Sequence, residues 1–168
     1  ATQRPILRGY SGDRFLITSD GFELGDMSNT TADHAVSMEI SVAEGVEVMR
    51  GPETLAYGSN TIAGIINIIT PFKNSKKLSS TNYKLLFGHE SSNESNLIGS
   101  DINIPFNDYQ LAISLNNRSA NDQSSPIGTL KNTALEKNDL TLGLTKFGEK
   151  DLITIELKDF SMDYGIPG

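Results

Sequence analysis

The sequence predicts two unlike parts: a small α+β unit over residues 1–72, with a mixed sheet and short helices, and an antiparallel β region over residues 81–168. Three observations predict this. The stretch from Val46 to Thr70 reads as strand, tight turn, short helix, glycine loop and buried strand. Residues 73–80, KNSKKLSS, lose all apolar periodicity and have the small, basic composition of a linker. Beyond them the chain alternates apolar and polar residues with a period of two, the signature of half-buried strands.

Within the organising stretch, Val46-Glu47-Val48 alternates apolar and charged residues and suits a short strand with one face buried. Arg50-Gly51-Pro52 ends it. Pro52 has a fixed φ and no N–H to lose, so it suits the first position of a helix, and Glu53 favours the positive helix end. Tyr57 closes little more than one turn, and Gly58 is the residue best able to leave a helix in a left-handed conformation. Small residues including Ala63 and Gly64 follow. The β-branched run Ile65 to Thr70, interrupted by Asn67, then reads as a strand buried on both faces, and Pro71 ends it. Upstream, Arg14 to Thr18 reads as a strand and Asp20-Gly21 as the turn of a hairpin-like return. Arg8-Gly9 is a second turn. Ser41 is a candidate N-cap for one helical turn over Val42 to Glu44, and Asp33 to Val36 is a loop or short helix.

In the second part five strands are expected, around Tyr83-Leu85-Phe87, Ile98-Ile102-Ile104, Tyr109-Leu111-Ile113-Leu115, Leu140-Leu142-Leu144 and Ile153-Ile155-Leu157. Short turns at Pro105 to Asp108 and Gly148 to Asp151 alternate with longer polar connections, His89 to Ser95 and the apparently unstructured Arg118 to Thr133. A soluble sandwich and a transmembrane barrel both show such alternation, and by pattern alone the sandwich is the more frequent.

Composition narrows the function classes. A formal net charge of -7 and the lack of a basic, aromatic-interleaved patch remove the electrostatic basis for nucleic-acid binding. Cysteine is absent, which excludes disulfides, thiolate metal sites and cysteine nucleophiles. No apolar run approaches the ~18 to 20 residues of a membrane helix, a fact silent on barrels. His34 and His89 are the only histidines, and no G-x-S-x-G, H-E-x-x-H or P-loop is present, so an enzyme site is hard to assemble. Ser11 lacks the second glycine of a nucleophile elbow and is a turn residue.

The order of residues from Val46 to Thr70 closely resembles the plug signature of TonB-dependent outer-membrane receptors, in which a "VE-IEV" strand leads into "LRGP", "LLYGS", "GG" and "VNVIT". Arg4-Pro5-Ile6-Leu7-Arg8-Gly9, Gly12-Asp13-Arg14, Asp20-Gly21 and Asp33-His34-Ala35 continue the resemblance upstream, in the family's order and at about its spacing. Gly9, Asp20, Gly21, Gly51, Pro52, Tyr57, Gly58, Gly64 and Asn67 are the structural positions of that motif. Ala56 stands where leucine is usual, and Ala63 replaces the first glycine of the pair.

The resemblance implies a fragment: the C-terminal part of a plug followed by the first five strands of a transmembrane barrel, with both chain ends as cuts in a larger protein. It implies active transport rather than catalysis, in the outer membrane of a Gram-negative-type bacterium. The implied partners are outer-membrane lipid, a periplasmic TonB-type energy-coupling protein and a metal or metal-chelate substrate, with no resident cofactor. Arg8 and Arg50 would latch plug to wall by pairing with barrel carboxylates, with Glu156 a candidate partner. Asp33-His34 resembles the pair found in the zinc-uptake members of the family, so zinc or a similar divalent metal is favoured over ferric siderophore or cobalamin. His89 and Glu90, in an expected outer loop, are candidates for metal capture. The alternative is a soluble antiparallel β interaction module of adhesin-like type.

Overall fold

The computed structural model describes residues 6–10, 14–23, 43–58, 61–70 and 76–167. The chain divides into two compact units, Thr2–Lys73 and Asn74–Gly168.

The first unit is built on a mixed four-stranded sheet of order β2-β1-β4-β3, formed by β1 (Leu16–Ser19), β2 (Phe22–Glu23), β3 (Gly45–Met49) and β4 (Ile65–Ile69). Strand β4 lies parallel to β1 and antiparallel to β3. This central position buries Ile65, Asn67 and Ile68, as a β-branched run without alternation requires. Phe15, Ile17, Ala63 and Ile68 form the core. Two two-residue turns carry positive φ at both positions, Arg8-Gly9 between the bridged residues Leu7 and Tyr10, and Asp20-Gly21 between β1 and β2. That is the geometry whose twist matches a hairpin.

The expected short helix is a single 3₁₀ segment, Pro52–Tyr57, flanked by Gly51 and Gly58, both with positive φ. The Thr54 hydroxyl donates to the Gly51 carbonyl at 2.8 Å, and that of Thr61 donates to the carbonyls of Thr54 and Gly58. One expectation fails here. Val46 and Val48 are 51% and 43% exposed rather than buried; among the described residues β3 is the edge strand of the sheet, paired with β4 alone. The Ser41 cap, Ser11 and the 33–36 segment lie outside the described residues.

The second unit is an antiparallel sheet of order β11-β10-β7-β6-β5. Its strands are β5 (Asn82–Glu90), β6 (Ser95–Phe106), β7 (Tyr109–Ala120), β10 (Leu135–Phe147) and β11 (Leu152–Tyr164), each paired with the next along the chain except for the small hairpin β8 (Gln123–Ser125) and β9 (Gly128–Leu130). The connection after Arg118, expected to be unstructured, is therefore ordered. Arg118 itself belongs to β7, and β8–β9 fills the loop. A second correction concerns His89 and Glu90. They end strand β5 rather than lying in a loop, and as successive strand residues they point to opposite faces, so they do not converge on one ion.

Candidate functional site

The two faces of the five-stranded sheet are opposite in character to those of a soluble domain. Along β6, Ser95, Asp101 and Asn103 are buried while Ile98 and Ile104 are exposed; along β7, Gln110, Ser114 and Asn116 are buried and Leu115 is exposed. Strand β10 buries Lys137, Asp139, Thr141 and Thr145 and exposes Leu142 and Leu144. The apolar residues stack in register: Tyr83, Ile102, Ile113, Leu142 and Leu157 form one row across all five strands, and Ile104, Leu111, Leu144 and Ile155 the next. Buried polar groups with an exposed apolar face are the informative departure from ordinary burial, and an apolar patch of this extent needs a partner surface.

The buried polar face is hydrogen-bonded internally. The Ser114 hydroxyl donates to Asp101 at 2.6 Å, and the Asn116 amide donates to Ser114 at 3.1 Å and to Asp139 at 3.5 Å. Lys158 pairs with Asp139 at 3.3 Å, and Lys137 and Lys158 both lie over the Phe160 ring, at 5.6 and 5.7 Å. The sequence alone separated these residues from the apolar ones by parity; Lys137 and Asp139, which share that parity with Thr141, were the ones missed.

At the looped end of the sheet, successive connections are tied to one another. Asn121 and Ser124 donate backbone hydrogen bonds to the carbonyls of Asn93 and Ser92, both at 2.8 Å, and the Asn121 amide donates to Glu94. Glu90 meets Arg118 at 3.4 Å. Asp122 accepts from the backbone N–H of Thr133 and of Ala134, which closes the loop that carries β8–β9. Gly165 then packs on Asn132 so closely that a Cβ there would come within 2.5 Å of its backbone.

The backbone hydrogen bond from Thr133, with further ones from Asn132 and Ala134, holds the Asp122 carboxyl below its ordinary value of 3.8, against a smaller opposing effect of desolvation. A lowered folded pKa contributes stability that is fully present above the unfolded value and is lost as pH falls through the folded one. The amides of Thr133 and Ala134 are therefore expected to lose protection from hydrogen exchange as pH falls below the ordinary carboxyl value of 3.8. Asp122→Asn should show no such acid step.

In the first unit the Asp20-Gly21 turn and Asn67 converge. The Asn67 carbonyl oxygen accepts from the Thr18 hydroxyl at 2.9 Å and from the Gly21 N–H at 2.8 Å, and its amide donates to Glu47 at 3.0 Å. Asp20 accepts from the Thr70 N–H at 3.0 Å and from the Thr70 hydroxyl. One asparagine thus ties β1, the Asp20-Gly21 turn and β3 to the central strand. The sequence alone does not single out Thr18, Glu47 and Thr70, because the roles of Thr18 and Thr70 depend on the parallel β1–β4 register and that of Glu47 on the antiparallel β3–β4 register. Gly64 has φ 129°, and a Cβ there would lie 2.6 Å from the Met49 carbonyl. The two departures from the usual pattern are explained: the Ala63 methyl joins the core, and Ala56 is exposed.

Arg8 sits at the tip of its turn and Arg50 follows β3, both exposed; Glu156 lies on β11 opposite Gly143, on the same face as Thr154 and Lys158. Asp33 and His34 lie outside the described residues. Among the described residues no three histidine or carboxylate side chains gather in a metal-holding group.

Residues 1–65 match the family model of the TonB-dependent Receptor Plug Domain. The vitamin B12 transporter BtuB of Vibrio vulnificus is 32% identical over 65 residues, which cover 39% of this chain and 10% of BtuB. The siderophore receptor PirA from Acinetobacter baumannii matches 91% of this chain with 25% of its own length, at a TM-score of 0.61 and 19% identity. A point mutant of the ferric enterobactin receptor PfeA from Pseudomonas aeruginosa, solved with enterobactin, matches 89% of this chain with 25% of its own, at 0.60 and 17%. The chain thus spans a tenth of the curated relative and a quarter of the solved receptors. Residues 1–65 are similar to the TonB-dependent receptor plug domain, and the chain shares the fold of the matching quarter of the two solved receptors.

Proposed function

We propose that the chain is part of a TonB-dependent uptake receptor of the outer membrane, its five-stranded sheet forming one arc of the barrel wall and its first unit the plug. The observation that carries this reading is the inversion of the sheet, with apolar rows exposed and a hydrogen-bonded polar face buried. Lipid covers such rows without cost, whereas a soluble adhesin-like module would leave them in water.

The slope of the apolar band supports it further. On β5 the band is Tyr83, Leu85 and Phe87, and on β11 it is Ile153, Ile155 and Leu157, yet Tyr83 and Leu157 share a row. The band therefore shifts by about 14 Å along strands that together span about 19 Å, a slope of roughly 35°. A band parallel to a bilayer demands this slope when strands tilt by about 35 to 45°. Edge strands β5 and β11 each pair on one side only among the described residues, and further strands in the whole receptor would close them.

Transport in this reading needs no bond chemistry and no resident cofactor. An energised TonB-type periplasmic protein pulls on the plug, and Arg8 and Arg50 latch it through barrel carboxylates, Glu156 among the candidates. The cargo is a metal or metal chelate, which the cobalamin and siderophore relatives support in general and the Asp33-His34 pair narrows to a zinc-like divalent metal. Replacing both residues with alanine in the whole receptor is expected to abolish its growth advantage under zinc limitation. Unchanged zinc-limited growth, with loss under iron limitation when the receptor is deleted, would reject zinc in favour of a ferric chelate.

A further inference from the structure

We propose that Lys77, Leu78, Asn107 and Gln110 form a strain-relief clamp at the point where the chain enters the five-stranded sheet. The Leu78 N–H donates to the Gln110 side-chain oxygen at 3.1 Å, and the Lys77 ammonium donates to the Asn107 carbonyl. Gln110 is 3% exposed, and its amide donates in turn to Asn103 at 3.5 Å, so both ends of the side chain are engaged. Residues 77 and 78, linker-like by composition, are fastened to the sheet.

The position of the fastening gives it mechanical meaning. Among the described residues strand β5 pairs with β6 alone, beginning at Asn82↔Asn103, and any further neighbour that closes the wall would pair with it in the same ladder fashion. Load applied at Asn82 would open that pairing one residue pair at a time, each pair resisting alone. Gln110 is on β7 and Asn107 is in the β6–β7 turn, so the clamp passes over β6 and delivers load to a hairpin. That hairpin is paired from Asn96↔Ser119 to Phe106↔Tyr109 and is backed by β10. The Asn103 side chain that accepts from Gln110 belongs to the residue opposite Asn82, so the same amide also braces the first pair of β5. A pull on the upstream unit would then end at Leu78, and β5 would stay in the wall.

The inference rests on the reading of the chain as plug and barrel wall, and the test separates the two. The whole receptor is reconstituted in lipid vesicles and pulled singly through a cysteine placed at Ile62, an exposed site in a chain with no native cysteine. In the parent protein the first unit should extend while every wall strand stays in the membrane. With Gln110→Leu, β5 should leave at lower force, and without load the Leu78 amide should exchange about tenfold faster, the equivalent of one lost hydrogen bond. Gln110→Glu keeps the oxygen that accepts from Leu78 but loses the amide that donates to Asn103, so it should fall between Gln110→Leu and the parent, as should the surface variant Lys77→Ala. If a membrane-held remainder is present but β5 leaves at the same force in Gln110→Leu and parent, the clamp is overturned and the barrel stands. If the parent leaves no membrane-held remainder, both are overturned.

Discussion

Asn67→Ala is expected to destabilise the first unit by about 2 to 6 kcal/mol, since it strands two donors at once and an unsatisfied buried polar group costs about 1 to 3 kcal/mol. Asn67 is 2% exposed and Thr18 is fully buried, so water cannot replace the lost oxygen without opening the sheet. The Gly21 N–H loses its partner in the same step, and the turn that aligns β2 with β1 loses its tie to β4. Glu47→Ala should cost much less. Glu47 is exposed, and its removal leaves only the Asn67 amide to find another acceptor. Hydrogen exchange of β1 and β4 amides in the whole receptor, alongside denaturant unfolding, measures both. Equal effects of the two substitutions would show that Asn67 is not the hub.

The second large effect concerns the outward face. Ile113 occupies the middle of the row that runs from Tyr83 to Leu157. Ile113→Arg should lower stability in lipid by about 2 to 4 kcal/mol, the cost of a charge near the bilayer midplane on a barrel's lipid face. Ser100 supplies the opposite test. It lies on the same face in the row of Leu85, Leu115 and Leu140, which ends at Asp159 on β11, and its own neighbours on β5 and β7 are both leucines. Ser100→Leu should raise stability in lipid by about 1 kcal/mol or more. In a water-facing sheet the same change would bring no such gain, and urea unfolding in vesicles distinguishes the cases.

Much of this was legible in the sequence, for identifiable reasons. Turn chemistry is local, so Asp20-Gly21, Gly51-Pro52 and Gly58 announced their conformations directly. Strand parity is also local, so Leu111, Ile113 and Leu115 were separable from Gln110, Ser114 and Asn116 before any pairing was known. What parity cannot say is which face is buried. That came from the plug motifs upstream, and the burial of Asp101 and Asp139 agrees with it. The partners of Asn67 were illegible because they lie 20 to 49 residues away. The β8–β9 hairpin was hidden because its ties, Asn121 to Asn93 and Asp122 to Thr133, join polar residues that read as an ordinary loop. His89 was misplaced for a related reason: β5 continues past its apolar residues to Glu90, where a polar run gives no strand signal.

The most direct test of the inverted sheet is a spin-label scan along β10 in lipid vesicles, with single cysteines at Thr141, Leu142, Gly143, Leu144 and Thr145. Labels at residues 142 and 144 should collide with dissolved oxygen and be shielded from a water-soluble nickel chelate, with weaker oxygen collision at the buried residues 141, 143 and 145. Free access of the nickel chelate to residues 142 and 144, with oxygen preference at residues 141 and 145, would contradict the account.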